Sequence, residues 1–125
     1  MKRLLFILFF FFVLGPITFA QGRMQMGTPE ERATRQLAQL ESLKLSPDQK
    51  AKIGAVFLWS AKQMDSIRTS LPANGDFQLM RSKMAPVQDD VNKMINIILN
   101  DEQKKGYELI LEERRKRMSE MMNRN

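Results

Sequence analysis

The sequence predicts an all-α protein, four helices in a thin, elongated, curved bundle, and three observations carry that expectation. Leu45-Ser46-Pro47-Asp48-Gln49-Lys50 and Leu99-Asn100-Asp101-Glu102-Gln103-Lys104 repeat one order of leucine, cap-forming residue and glutamine. This is the sequence form of a capping box, in which the cap side chain accepts from a free N–H of the first turn and the glutamine reaches back to the cap's own N–H. Apolar residues recur at spacings of three, four and seven through the runs that follow these boxes, the period of a helix face. Acidic residues stand four positions ahead of basic ones along the last run, as in Glu112 with Lys116 and Glu113 with Arg117, the order that supports an exposed helix.

The chain opens with Met1-Lys2-Arg3, an apolar run from Leu4 to Leu14, Gly15-Pro16 and then Thr18-Phe19-Ala20. That is the order of a secretory signal peptide, with cleavage expected after Ala20. The alternative is an uncleaved anchor, but the run is interrupted at Gly15-Pro16 and falls short of the roughly 20 residues a spanning helix needs. Residues 1–20 are therefore assigned to the signal peptide, which directs the protein to the periplasm without a stable membrane anchor. With no cysteine among its 125 residues the chain has neither a lipid attachment site nor a disulfide.

Loss of Lys2 and Arg3 leaves 18 basic against 14 acidic residues, so the net charge falls from +6 to +4. Export argues against nucleic acid as the partner of this basic excess and leaves a membrane surface or acidic stretches of envelope proteins. The absence of histidine as well as cysteine removes the usual zinc and copper ligands and the usual nucleophile and base pairs. The expectation is no enzyme and no cofactor.

Residues 21–27, with Met24 and Met26 among polar residues and glycine, read as a flexible tail. Residues 28–122 form a single helical domain, with 123–125 as its frayed end. Thr28-Pro29-Glu30-Glu31 is a third capping box and opens the first helix, whose apolar stripe is Ala33, Leu37 and Leu40. Leu45 and Leu99 have no staple partner, because a lysine (Lys50, Lys104) holds the position each would meet, so both are expected to pack against the preceding helix.

The second helix runs from Pro47 to about Leu71, where Pro72 and Asn74-Gly75 stop it and turn the chain. Ile53, Val56, Phe57, Met64, Ile67 and Leu71 form its core stripe. Leu58 and Trp59 lie off that stripe, grouped with Lys52, Ala55 and Lys62. Two readings stand for them: contact with another helix or a second copy, or an exposed apolar patch ringed by cations.

Asp76 caps the third helix, and Phe77, Met80, Met84, Val87, Val91, Met94 and Ile98 form its seam. Such a strict narrow stripe suits a hairpin or a contact between subunits. Pro86 inside it predicts a kink or break near Ser82 to Pro86. The methionines of the seam, Met80 and Met84 among them, are either core filler or a surface that accepts varied partners.

The fourth helix carries Tyr107, Ile110, Leu111, Met118 and Met121 on one face, with Gly106 as a locally soft position. Arg114 falls in this apolar stripe, either laying its stem along it with the head in water or anchoring an acidic group on a partner.

The two boxes also carry a resemblance. Leu45, Ser46 and Gln49, with Leu99, Asn100 and Gln103, resemble the paired L-T-x-x-Q motifs of the Spy/CpxP family of small periplasmic proteins, serine and asparagine standing where the family has threonine. The resemblance implies an antiparallel, cradle-shaped homodimer whose concave face combines basic charge with apolar patches. It also implies an ATP-independent chaperone that holds unfolded or misfolded envelope proteins. The client-binding residues are then expected among Lys52, Leu58, Trp59, Lys62, Met80, Met84 and Arg114. The alternative, followed by some relatives, is an envelope-stress regulator that binds the periplasmic sensor domain of a histidine kinase.

Overall fold

The computed structural model describes residues 27–124, and every regular element among them is helical. The signal peptide and all of the expected tail but Gly27 lie outside the described residues, as does Asn125. The helices are α1 (Pro29–Ala38), α2 (Pro47–Ser70), α3 (Phe77–Ile98) and α4 (Asp101–Met122), with a 3-10 turn, Glu41–Leu43, between the first two.

Each helix starts where its cap residue stands. Thr28, Ser46 and Asn100 accept from the backbone N–H of Glu31, Gln49 and Gln103, and those three side chains accept in return from the caps' own N–H groups. Asp76 caps α3 through the N–H of Gln78 at 2.8 Å. The 3-10 turn ends at Lys44, which takes the left-handed conformation (φ 50°). A side chain is costly there, but the bend brings Leu45 back onto the core.

The chain folds back on itself twice. Arg32 near the start of α1 donates to the Ala61 carbonyl on α2 and to Asp65, while Leu37 near its end lies beside Gly54, so α1 lies antiparallel along the middle of α2. A tight turn with Gly75 N–H on the Pro72 carbonyl at 2.7 Å then sends α3 back along the other side. A Cβ on Gly75 would sit 2.8 Å from that carbonyl, which is why glycine holds the position. α4 leaves from the end of α3 and packs across the 3-10 turn.

The core sits at the box end of this assembly. Leu40, Leu43, Leu45, Ile53, Phe57, Val91, Ile95, Leu99 and Tyr107 are buried together. Full burial of one such aliphatic side chain is worth about 1.5–3 kcal/mol, so this cluster, rather than the far end of the hairpin, holds the fold. Leu45 and Leu99, the leucines without staple partners, are both members of it.

Three expectations are corrected. The α3 seam is rotated: Val91 and Ile95 are buried, Met80, Met84, Val87, Met94 and Ile98 are half-buried, and Phe77 is 71 % exposed. The reason is a second neighbour. Tyr107 of α4 is buried beside α3 and donates its hydroxyl to Asn92 Oδ1 at 2.8 Å, which turns the covered face toward Asn92 and brings Ile95 inside. Of the kink or break expected at Pro86, the break is absent: the helix is continuous from Phe77 to Ile98. It lies on the exposed side with Ser82, so water can take the carbonyl whose partner proline removes. Gly106 is a point of close approach rather than a soft spot, since a Cβ there would meet Leu43 Cδ2 at 2.6 Å.

Candidate functional site

The two boxes meet. Gln49 Nε2 donates to Gln103 Oε1 at 2.8 Å, and Gln103 Nε2 donates to Gln49 Oε1 at 3.0 Å. Each Nε2 also donates to a backbone carbonyl, Gln49 to Ile98 at 3.1 Å and Gln103 to Leu43 at 3.3 Å. Each Oε1 also accepts its own cap's N–H, from Ser46 at 3.0 Å and Asn100 at 3.1 Å. An amide offers two donors and two acceptor positions, and both glutamines use all of theirs. Leu45, Ser46, Gln49, Leu99, Asn100 and Gln103 thus form one structural clasp joining the starts of α2 and α4.

The surface suited to a partner lies elsewhere, on the outer side of the α2–α3 hairpin. Trp59 of α2 shares a shallow depression with Asp90, Lys93, Met94 and Ile97 of α3. Trp59 is 38 % exposed and Ile97 84 %. Lys52, Ala55 and Lys62 are exposed on the same stripe of α2 as Trp59, and Lys52 is paired with Asp48 at 2.8 Å. The result is a small apolar strip with Lys62 and Lys93 exposed beside it and Asp90 in its lining, Lys52 being held by Asp48.

The expected client-binding residues do not all come together. Trp59, Lys52 and Lys62 share this strip. Leu58 does not: it is half-buried in the crevice between α1 and α2, with Ala33 and Leu37. One residue is 100° of helix from the next, enough to place Leu58 under α1 while Trp59 turns outward. Met80 and Met84 are half-buried on the far half of α3, the nearer of them about 15 Å along the axis from Met94 at 1.5 Å per residue. Arg114 is on the opposite flank, in a groove with Ile110, Glu113 and Arg117, where its Nη2 donates to Gln39 Oε1 at 2.9 Å. Its stem lies in the stripe, and its head has a partner within the chain.

Ile97, Lys93 and Asp90 are additions. Their signal was in the sequence: Asp90, Lys93, Met94 and Ile97 are spaced three, four and seven apart and so share a face, adjoining the seam. Nothing in the order of residues shows that Trp59 comes to lie beside them.

Two titrating groups are shifted. The hydrogen bond from Arg32 holds the Asp65 carboxyl below its ordinary value, with the charges of Arg32 and Arg68 acting the same way and desolvation opposing them. Burial pushes the Tyr107 phenol up, against the nearby positive charge of Arg114. Both groups brace helices.

Among the described residues no three histidine, cysteine or carboxylate side chains are grouped to hold a metal ion. No helix among them is long and apolar enough to cross a membrane. No protein-family model, curated protein or solved structure matches this chain.

Proposed function

We propose that this protein is an ATP-independent chaperone of the periplasm that holds unfolded or aggregation-prone envelope proteins on a basic, partly apolar surface. The observation that carries the reading is the strip of Trp59, Met94 and Ile97, with Lys62 and Lys93 exposed beside it, Asp90 in its lining and Lys52 paired with Asp48. Lysines attract acidic client segments over a Debye length of about 8–10 Å, and a small apolar strip then adds contact that is weak enough to reverse without fuel. The signal-like residues 1–20 and the resemblance of the two boxes to the Spy/CpxP motif support the same reading.

Uncovered apolar side chains on the hairpin support assembly as a curved, cradle-shaped, antiparallel homodimer, since a chain this small leaves much of its surface uncovered by itself. Light scattering on the purified protein tests that step.

The function is tested by light scattering of several unrelated denatured proteins mixed with this one. Suppression of their aggregation at a near-equimolar ratio is the expected result. Saturable binding to one sensor-kinase periplasmic domain, with no such suppression, would replace the chaperone by a stress regulator.

A further inference from the structure

The apolar stripe of α4 begins inside the core and ends outside it. Tyr107 is buried and Ile110 and Leu111 are half-buried. One turn beyond Arg114 the stripe continues as Met118, Met121 and Met122, which are 52 %, 66 % and 58 % exposed. Where the cover ends, the side chains change from tyrosine, isoleucine and leucine to methionine alone.

We propose that Met118, Met121 and Met122 form a binding site for a soft monovalent cation, copper(I) or silver(I), held by their thioether sulfurs. The spacing allows it: Met121 and Met122 stand three and four positions after Met118, where Cβ atoms are about 5–6 Å apart, and these two neighbours flank Met118 so that three flexible side chains can bring their sulfurs to one point over it. The ligand type is right as well, because thioethers select copper(I) over the harder divalent ions. With no cysteine or histidine in the chain, these are the softest donors it has.

The surrounding charge sharpens the selection. Arg114, Arg115, Lys116 and Arg117 precede the three methionines, with Arg117 paired to Glu113 at 3.4 Å and Arg114 donating to Gln39, while Glu120 lies two residues from both Met118 and Met122 and so does not share their face. A divalent ion, which favours carboxylate and imidazole ligands, would find only neutral sulfurs on that face. A single charge on neutral sulfurs in an exposed, solvent-screened position meets far less opposition.

The test is titration of the purified protein with silver nitrate, and with copper(I) under a reductant, followed by calorimetry and by the methyl resonances of the methionines. The site predicts one equivalent bound, with the largest shifts at Met118, Met121 and Met122, and no comparable binding of zinc. Met121→Leu should weaken binding at least tenfold. The triple change of Met118, Met121 and Met122 to leucine should abolish it while the helical circular dichroism stays unchanged, since leucine is an equally good helix former. Undiminished binding by the triple variant, shifts spread evenly over all methionines, or equal binding of zinc would each overturn the proposal.

Discussion

Gln49 and Gln103, 54 residues apart in the chain, donate to each other's side-chain oxygens and leave no hydrogen-bonding position on either amide unused. Each is at once the closing residue of its own capping box and the partner of the other box. Removing one amide therefore strands groups on both helices. An unsatisfied, partly buried polar group costs about 1–3 kcal/mol. Gln103→Ala is expected to lower the unfolding free energy by about 2 kcal/mol, and Gln49→Ala by a similar amount. Because the two share bonds, the double variant should lose less than the sum, with a coupling of about 1 kcal/mol in a urea-unfolding cycle. Strict additivity would mean that the two amides act independently.

Gly106 stands against Leu43. In an open helix, glycine to alanine gains about 1 kcal/mol, but here the added Cβ would meet Leu43 Cδ2 at 2.6 Å. Leu43 is a buried member of the core, so its side chain must shift to admit the Cβ, and overpacking of this kind costs about 1–3 kcal/mol. Gly106→Ala should destabilise by about 1 kcal/mol on balance. In a Leu43→Ala background, where the obstacle is gone, the same change should stabilise by about 1 kcal/mol. Thermal or urea unfolding of the four proteins checks the change of sign.

Stability should decline toward both extremes of pH, through two identifiable groups. Asp65 binds its proton less readily folded than unfolded, so its contribution is present above its ordinary value of 3.8 and is lost as pH falls through the lower folded value. This follows from the linkage between proton binding and unfolding. Asp65→Asn should flatten that acid-side loss in unfolding curves measured across the range. Tyr107 is the opposite case: its folded value lies above 10.0, so its contribution is complete below 10.0 and declines as pH rises through the folded value. Tyr107→Phe should remove that alkaline decline, at the cost of the bond to Asn92.

Trp59 and Leu58 should separate cleanly. Trp59→Ala is expected to weaken capture of denatured clients by about tenfold, the effect of removing one large contact side chain, and to leave helicity and stability nearly unchanged. Ile97→Ala should weaken capture in the same direction. Leu58→Ala should do the reverse, lowering stability by about 2 kcal/mol with little direct effect on capture. Stability curves and aggregation assays on the three variants decide the matter. A Trp59→Ala protein that loses its helical signal would place the indole in the core.

The helix starts were legible because a capping box is local: Ser46 with Gln49 and Asn100 with Gln103 are complete within four residues, and the structure forms both bonds of each. The clasp was not legible, since the same spacing is satisfied by a glutamine that reaches only its own cap. Ile95 was missed in favour of Met94 because the seam was read against one neighbour, and Tyr107 supplies a second from a different helix. The strip joining Trp59 to Ile97 depends on how α2 and α3 lie side by side, a relation that no spacing within either helix records.

The mutual bond between the two amides also constrains how this chain can drift. A glutamate at either position would set a carboxylate oxygen where a donor is needed, facing the carbonyl of Ile98 or Leu43, and the opposite amide would lose its correspondent. Neither site can change first without injury. Descendant sequences that keep the fold should either retain both glutamines or replace them together, as a matched pair.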